Sequence, residues 1–354
     1  MKEVHPTLPA LQDFSIIFEG EDVSLFFIEN KNIKVALTNY GARVVSIIVP
    51  NKNGFFTDVV CGPGTIADFL NSDNAYFGAT IGRYANRIAN GTFAINDVTY
   101  KLALNNGKNH LHGGNGGLQQ KIWKARLLHS AAVEFTYTSV DKEDGYPGNV
   151  KIKITYTVTA NGALKILYEA STDKDTIINL TNHTYFNLNG CGSGKIVNHN
   201  LQIYADAFTP VTENLIPTGE CRSVSNTFFD FRKPLLIGKR INETDEQLRF
   251  GNGYDHNFIL QKEKVNEYTM AAEVMGDVSG VAMKVYTTEP GIQLYTGNFM
   301  EGKNTMKNNF RDDFRTAFCL ETQHFPDSPN KPLFPSVLLK KGDIFTSATT
   351  YEFS

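Results

Sequence analysis

The strongest constraint on the fold is a period of two. Val150, Ile152, Ile154, Tyr156 and Val158 alternate with Lys151, Lys153, Thr155 and Thr157. Ile33, Val35 and Leu37 repeat the pattern, as do Val281, Met283 and Val285. Successive side chains of a strand point to opposite faces, so this alternation buries one face and wets the other, as antiparallel sheet does. Turn signals separate the runs: Asn51 to Gly54, Asn105 to Gly107, Asp144-Gly145, Asn161-Gly162 and Gly251 to Gly253. Asn161-Gly162 lies between two alternating runs and reads as a hairpin. Helical periodicity is confined to a short turn over residues 65–71 and a segment over 233–250, entered at Pro234. No βαβ rhythm, internal repeat or linker interrupts the chain, which excludes a doubly wound or barrel α/β architecture. The expected fold is all-β: one large antiparallel β-sandwich over residues 1–354, with few short helices.

Composition narrows the function. A net charge of -3 offers no basic footprint for nucleic acid. No apolar run reaches the 18 residues of a membrane span, and Met1-Lys-Glu-Val-His-Pro6 lacks the apolar core of a signal peptide. The expectation is a soluble, cytoplasmic chain, monomeric or, if a sheet edge is left uncovered, dimeric. Cys61, Cys191, Cys221 and Cys319 have no CxxC spacing and read as scattered reduced thiols.

Polar chemistry concentrates in a few segments. His183 lies in Asn179-Leu-Thr-Asn-His-Thr-Tyr-Phe-Asn-Leu188, after the strand-like run Thr176 to Leu180. Glu321 lies in Phe318-Cys-Leu-Glu-Thr-Gln-His-Phe-Pro-Asp327. One imidazole and one carboxylate form a minimal acid/base pair, able to move two protons without a cofactor. The segment Gly82 to Gly91 holds two arginines and two asparagines, and suits either a ligand's hydroxyls or a solvated loop. On a strand, His110 and His112 would share a face and could hold a metal. No glutamate follows closely, however, and Gly113 to Gly117 read instead as a bend bringing backbone close to a ligand. No metal and no cofactor are expected. Asp255 stands at a strand entry, either as a polyol acceptor or as a turn cap. Gln293 lies in a strand between Ile292 and Leu294, able to donate and accept. Asp206 to Gly219, with two prolines, reads as scaffold.

Taken in order, these segments resemble the aldose 1-epimerases, also called galactose mutarotases. The landmarks are Asn39-Tyr-Gly-Ala-Arg43, Gly82-Arg83 with Asn86-Arg-Ile88, Asn109 with Leu111-His-Gly-Gly114, and Asp144-Gly-Tyr-Pro-Gly148. The His183 segment, Gly253-Tyr-Asp-His256, Thr288-Glu-Pro-Gly-Ile-Gln293 with Tyr295-Thr-Gly-Asn298, and Leu320-Glu-Thr-Gln323 complete the set. The resemblance implies a large β-sandwich that interconverts the α and β anomers of a free aldose. It implies Glu321 as general base, His183 as general acid, and Asn86, Arg87, His112, Tyr185, Asp255 and Gln293 as sugar-contacting residues. The Gln293 position varies in that family. A glycoside hydrolase would want a second carboxylate, for which Asp255 is the candidate. A phosphosugar epimerase would want several cations, and a non-catalytic sugar-binding module would not need the His183–Glu321 pair.

Overall fold

The alternating runs pair into three main antiparallel sheets in the computed structural model, which describes residues 6–354. A nine-stranded sheet is built outward from the hairpin Val150–Val158 and Ala163–Thr172. Gly162, at φ +79°, turns this hairpin, and Thr159 N–H closes it on Ala163 O at 2.8 Å. On one side the sheet adds Ala132–Ser139 and Lys124–His129. On the other it adds Ile344–Phe353, Ala282–Thr287, Thr269–Met275, Asn200–Ile203 and Leu235–Leu236. A four-stranded sheet runs through Leu25–Glu29, Lys34–Thr38, Arg43–Pro50 and Phe56–Asp58. A five-stranded sheet orders Arg222–Ser223, Ala205–Phe208, Asp255–Leu260, Gly291–Tyr295 and Cys319–Gln323.

The inner rows of all three sheets meet in one hydrophobic core. Val35 and Leu37 come from the four-stranded sheet, Ile152, Ile154 and Tyr156 from the nine-stranded one, and Phe258, Ile292, Leu294 and Leu320 from the five-stranded one. Each such side chain contributes roughly 1.5–3 kcal/mol by leaving water. Lys151 stays exposed on the other face, so a one-residue slip would bury an ammonium and expose the apolar row.

Among the described residues, α-helix is confined to Ile66–Leu70 and Glu246–Gly251. The first starts where expected: Thr65 Oγ1 accepts Asp68 N–H at 3.1 Å, which satisfies a free first-turn donor. The second starts later than the sequence suggested. Pro234 precedes the short strand Leu235–Leu236, and the helix is opened instead by Asp245, whose carboxylate accepts from Gln247 and Leu248 N–H. The side chain able to cap, not the proline, sets this boundary.

Candidate active site

The floor of the site is the outer face of the five-stranded sheet. Strand pairing aligns Asn257, Gln293 and Glu321 in one row, and Asp255, Tyr295 and Cys319 in the next. Their sequence neighbours Phe258, Ile292, Leu294 and Leu320 point into the core. Period two therefore puts a polar row on the face away from the core, over which a cleft of about 700 Å3 opens.

Glu321 is 2% exposed at the base of this cleft. Its Oε1 lies 3.6 Å from His183 Nε2, and its Oε2 has no hydrogen-bond partner among the described residues. A buried carboxylate oxygen without a partner is costly unless a ligand supplies one. Burial, then the neighbouring Asp255, pushes the Glu321 carboxyl well above the usual range, against an opposing pull from Arg87. Burial lowers His183 to about 3. Both shifts disfavour charge, so the pair holds a single proton between them, resting on Glu321.

His183 stands between the two-residue strands Thr181–Asn182 and Tyr185–Phe186, where Thr176 to Leu180 does not form one continuous strand. Its backbone is clamped by His183 N–H to Ala79 O and Gly78 N–H to His183 O, both 2.9 Å. Its ring is stacked between Tyr185, at 4.9 Å, and Tyr76, at 5.8 Å, each inclined by 17°. Asn74 Nδ2 donates to Tyr185 Oη at 2.8 Å and holds that phenol in place.

The opposite wall carries Asn86, Arg87 and His112. Asn86 N–H donates to His112 Nδ1, and His112 N–H donates to Asn86 O, both at 3.1 Å. Arg87 donates from Nε to Asn106 Oδ1 at 3.0 Å and reaches Asp255 Oδ2 at 3.8 Å. Asp255 Oδ1 accepts Gln293 Nε2–H at 2.7 Å. Asn179 ties the two walls together, with Nδ2 on Ala85 O and His324 O and Oδ1 accepting His324 N–H.

His183, Glu321, Asn86, Arg87, His112, Tyr185 and Asp255 thus line one cleft. Gln293 does not line it. It sits behind the wall and orients Asp255. His110 and His112 do not share a face. The strand His110–Leu111 ends after two residues, and His112 adopts φ +51°, which turns its ring into the cleft. His110 is instead buried against Ala103 O and Tyr146 Oη, each at 2.7 Å. The glycines after it are not among the residues lining the cleft. A Cβ on Gly114 or Gly116 would strike the Asp144 carboxylate, at 2.7 and 2.8 Å. The segment read as scaffold contributes Glu213, Asn214 and Leu215 to the rim. Tyr76, Asn74 and Phe299 also line the cleft without having been singled out, and so does Tyr295, a landmark residue given no role.

His112, His183 and Glu321 place one ligand atom each within 4.8 Å of one another, the donor types of a two-histidine, one-carboxylate metal site. The hydrogen bonds do not fit a metal. Asn86 N–H occupies the His112 Nδ1 lone pair, so the single proton of neutral His112 sits on Nε2. Burial lowers the His112 pKa and keeps it neutral. The nitrogen facing the cleft is therefore a donor to an oxygen, not a ligand to a cation.

A deep polar cleft with a neutral imidazole–carboxyl pair fits proton transfer on a hydroxylated ligand. The family model for aldose 1-epimerase matches residues 24–352. The chain belongs to the aldose 1-epimerase family. It is 43% identical over 332 residues to the galactose mutarotase of Sus scrofa, covering 94% of each chain. It is 36% identical to the aldose 1-epimerase of Escherichia coli K12, covering 95% of this chain and 96% of that one. Among solved structures, a GalM/aldose epimerase homologue from C. elegans superposes with a TM-score of 0.86 at 32% identity, covering 94% of this chain and 99% of that one. Membership makes the chain an enzyme, an isomerase, and its all-β sandwich is the family's fold.

Proposed function

We propose that the cleft interconverts the α and β anomers of a free aldohexose such as galactose or glucose, with Glu321 as general base and His183 as general acid. Anomer interconversion follows from the family. The observation that carries the residue roles is geometric: a Glu321 oxygen without a hydrogen-bond partner among the described residues, beside His183 Nε2 on the cleft floor.

Ring opening starts from the ionised arrangement, Glu321 carboxylate with His183 imidazolium. Glu321 takes the proton from the C1 hydroxyl while His183 gives one to the ring oxygen. The C1–O5 bond breaks, and C1 becomes an aldehyde. The pair is then neutral, the arrangement that burial favours, so the environment lowers the energy of the state in which the ring is open. Rotation about C1–C2 presents the other carbonyl face to the C5 hydroxyl. Closure runs the same transfers backwards, as microscopic reversibility requires. Each positioned group contributes about 10²- to 10⁴-fold. His112 Nε2–H and Arg87 supply donors for oxygens that gain charge, and Asp255, aimed by Gln293, accepts from a sugar hydroxyl.

The rim supports an uncharged sugar over a phosphosugar. It carries Asp73 and Glu213 besides Glu301, which pairs with Lys303, while Arg87 faces Asp255. A phosphate would meet a surplus of carboxylates. Asp255 is held by Gln293 and Arg87, which leaves it poorly placed as the second carboxylate of a glycosidase. The test compares α-galactose with galactose 6-phosphate by polarimetry, and adds an aryl galactoside. Acceleration with the free sugar at least 10-fold above the phosphate, and no aryl release, is expected. Faster reaction of the phosphate, or aryl release, would overturn the reading.

A further inference from the structure

We propose that Cys319 is a positioning residue for the reaction: its sulfur accepts the hydrogen bond from His183 Nδ1–H and so fixes Nε2 as the nitrogen that exchanges a proton with the ring oxygen. The proposal rests on His183 being the general acid.

The geometry begins with strand register. Cys319 precedes Glu321 by two residues on Cys319–Gln323, so both side chains share the cleft-facing side. Cys319 Sγ lies 3.4 Å from His183 Nδ1, and both residues are buried. The tyrosines on either side fix the plane of the imidazole. Stacking alone does not distinguish the ring from one turned over in that plane. The polar ends do: Nδ1 meets sulfur and Nε2 meets Glu321 Oε1.

Proton accounting then selects the direction of the bond. If the thiol donated to Nδ1, neutral His183 would carry its proton on Nε2. It would then have no lone pair there to receive the C5 hydroxyl proton on ring closure. With Nδ1–H donating to sulfur, Nε2 holds a proton in the imidazolium and a lone pair in the neutral ring, and both half-reactions proceed.

Sulfur also suits the electronic demand. A carboxylate at this position would stabilise the imidazolium and raise its pKa. An uncharged thiol is a weak acceptor, so the imidazolium stays acidic enough to protonate an ether-like ring oxygen. Burial, reinforced by Glu321 and Asp255, pushes the Cys319 thiol well up and keeps it uncharged.

The experiment uses C319V, C319S and H183N, with C191A as a control thiol away from the cleft. C319V keeps an apolar side chain of similar size without a good acceptor, and C319S keeps a smaller acceptor. Polarimetry on galactose across pH gives kcat and KM, thermal melts report folding, and long-range 1H–15N NMR of the imidazoles reports which nitrogen carries the proton. The wild type is expected to show His183 protonated on Nδ1. C319V is expected to lose roughly 10- to 100-fold in kcat, about what losing the hydrogen bond that orients a metal-bound histidine costs. KM should stay within about 3-fold, and C319S should fall between C319V and the wild type. Wild-type His183 with its proton on Nε2, or C319V with unchanged kcat and pH profile, would overturn the proposal. If H183N itself retains full activity, the reading of His183 as the acid falls instead.

Discussion

Arg43 holds the segment that carries Tyr76 in the cleft wall. It is 2% exposed and donates to four backbone carbonyls: Tyr40 at 2.9 Å, Phe77 at 2.9 Å, Ala75 at 3.1 Å and Gln119 at 2.5 Å. Its guanidinium also lies over the rings of Tyr40 and Phe69, at 4.8 and 4.9 Å. Ala75 and Phe77 flank Tyr76, so this one side chain fixes the segment that stacks on His183. Burial lowers Arg43 to about 10, a shift that corresponds to about 3 kcal/mol against the charged form. Four charge-assisted bonds at ~2 kcal/mol each outweigh that cost and leave ~5 kcal/mol. R43M abolishes the bonds and strands four buried carbonyls. The expected loss is about 3–5 kcal/mol in urea unfolding, or roughly 5 °C in the thermal midpoint of a chain this long. R43K, with a point charge in place of a fork, should lie between the two. A stability of R43M within about 1 kcal/mol of wild type would refute this accounting.

Four further outcomes follow from the same structure. Q293A should release Asp255 and raise KM for galactose about 10-fold with kcat changed less, since Gln293 touches Asp255 and not the cleft; an unchanged KM would remove Gln293 from substrate binding. kcat/KM should fall as pH rises through the raised Glu321 value, because the pair then loses its single proton and with it the acid; a profile flat to the limit of folding would contradict the one-proton pair. Stability should fall with acid: His183 and His256 are lowered to about 3, His199 to about 4, and burial lowers His112 as well, so the unfolded chain binds protons below pH ~6.5 that the folded one refuses. Glu321, raised by burial, binds one in the folded state and opposes this, which leaves about three protons, or ~4 kcal/mol per pH unit between pH ~6 and ~5; urea midpoints unchanged over that window would count against buried neutral imidazoles. A fourth, G78A, should fold poorly or not at all, since Gly78 sits at φ +68° and a Cβ there would collide with Val44 O; wild-type stability would disprove the close approach.

The sheets were legible because burial imposes a local pattern. Val150 to Val158 alternates in sequence and alternates in burial, and Asn161-Gly162 turns where it must. The helix capped by Thr65 was equally local. Legibility ended where a residue's role depends on a distant partner. Thr176 to Leu180 reads as one strand, but only Thr176–Ile177 is one, paired with Leu338–Leu339, and the residues around His183 pair separately with Thr80–Ile81 and Val60–Cys61. His112 alternates with His110 in sequence, and only its left-handed backbone separates their faces. Tyr76 and Leu215 lie in loops without periodicity, and their place at the cleft is set by Arg43 and by Asn109 with Asn214. Cys319 looked like a scattered thiol because its partner, His183, is 136 residues away in sequence. Gln293 was legible as a polar strand residue, while its position behind Asp255 required the register of the sheet.

The most direct test of the paired acid and base is the rate at which freshly dissolved α-D-galactose approaches rotational equilibrium with wild-type protein, E321Q and H183N at matched concentration. Melting curves recorded alongside should show that all three fold. The account predicts rapid approach with wild type and a loss of at least ~10²-fold in each variant. Full catalysis by a folded E321Q would contradict it.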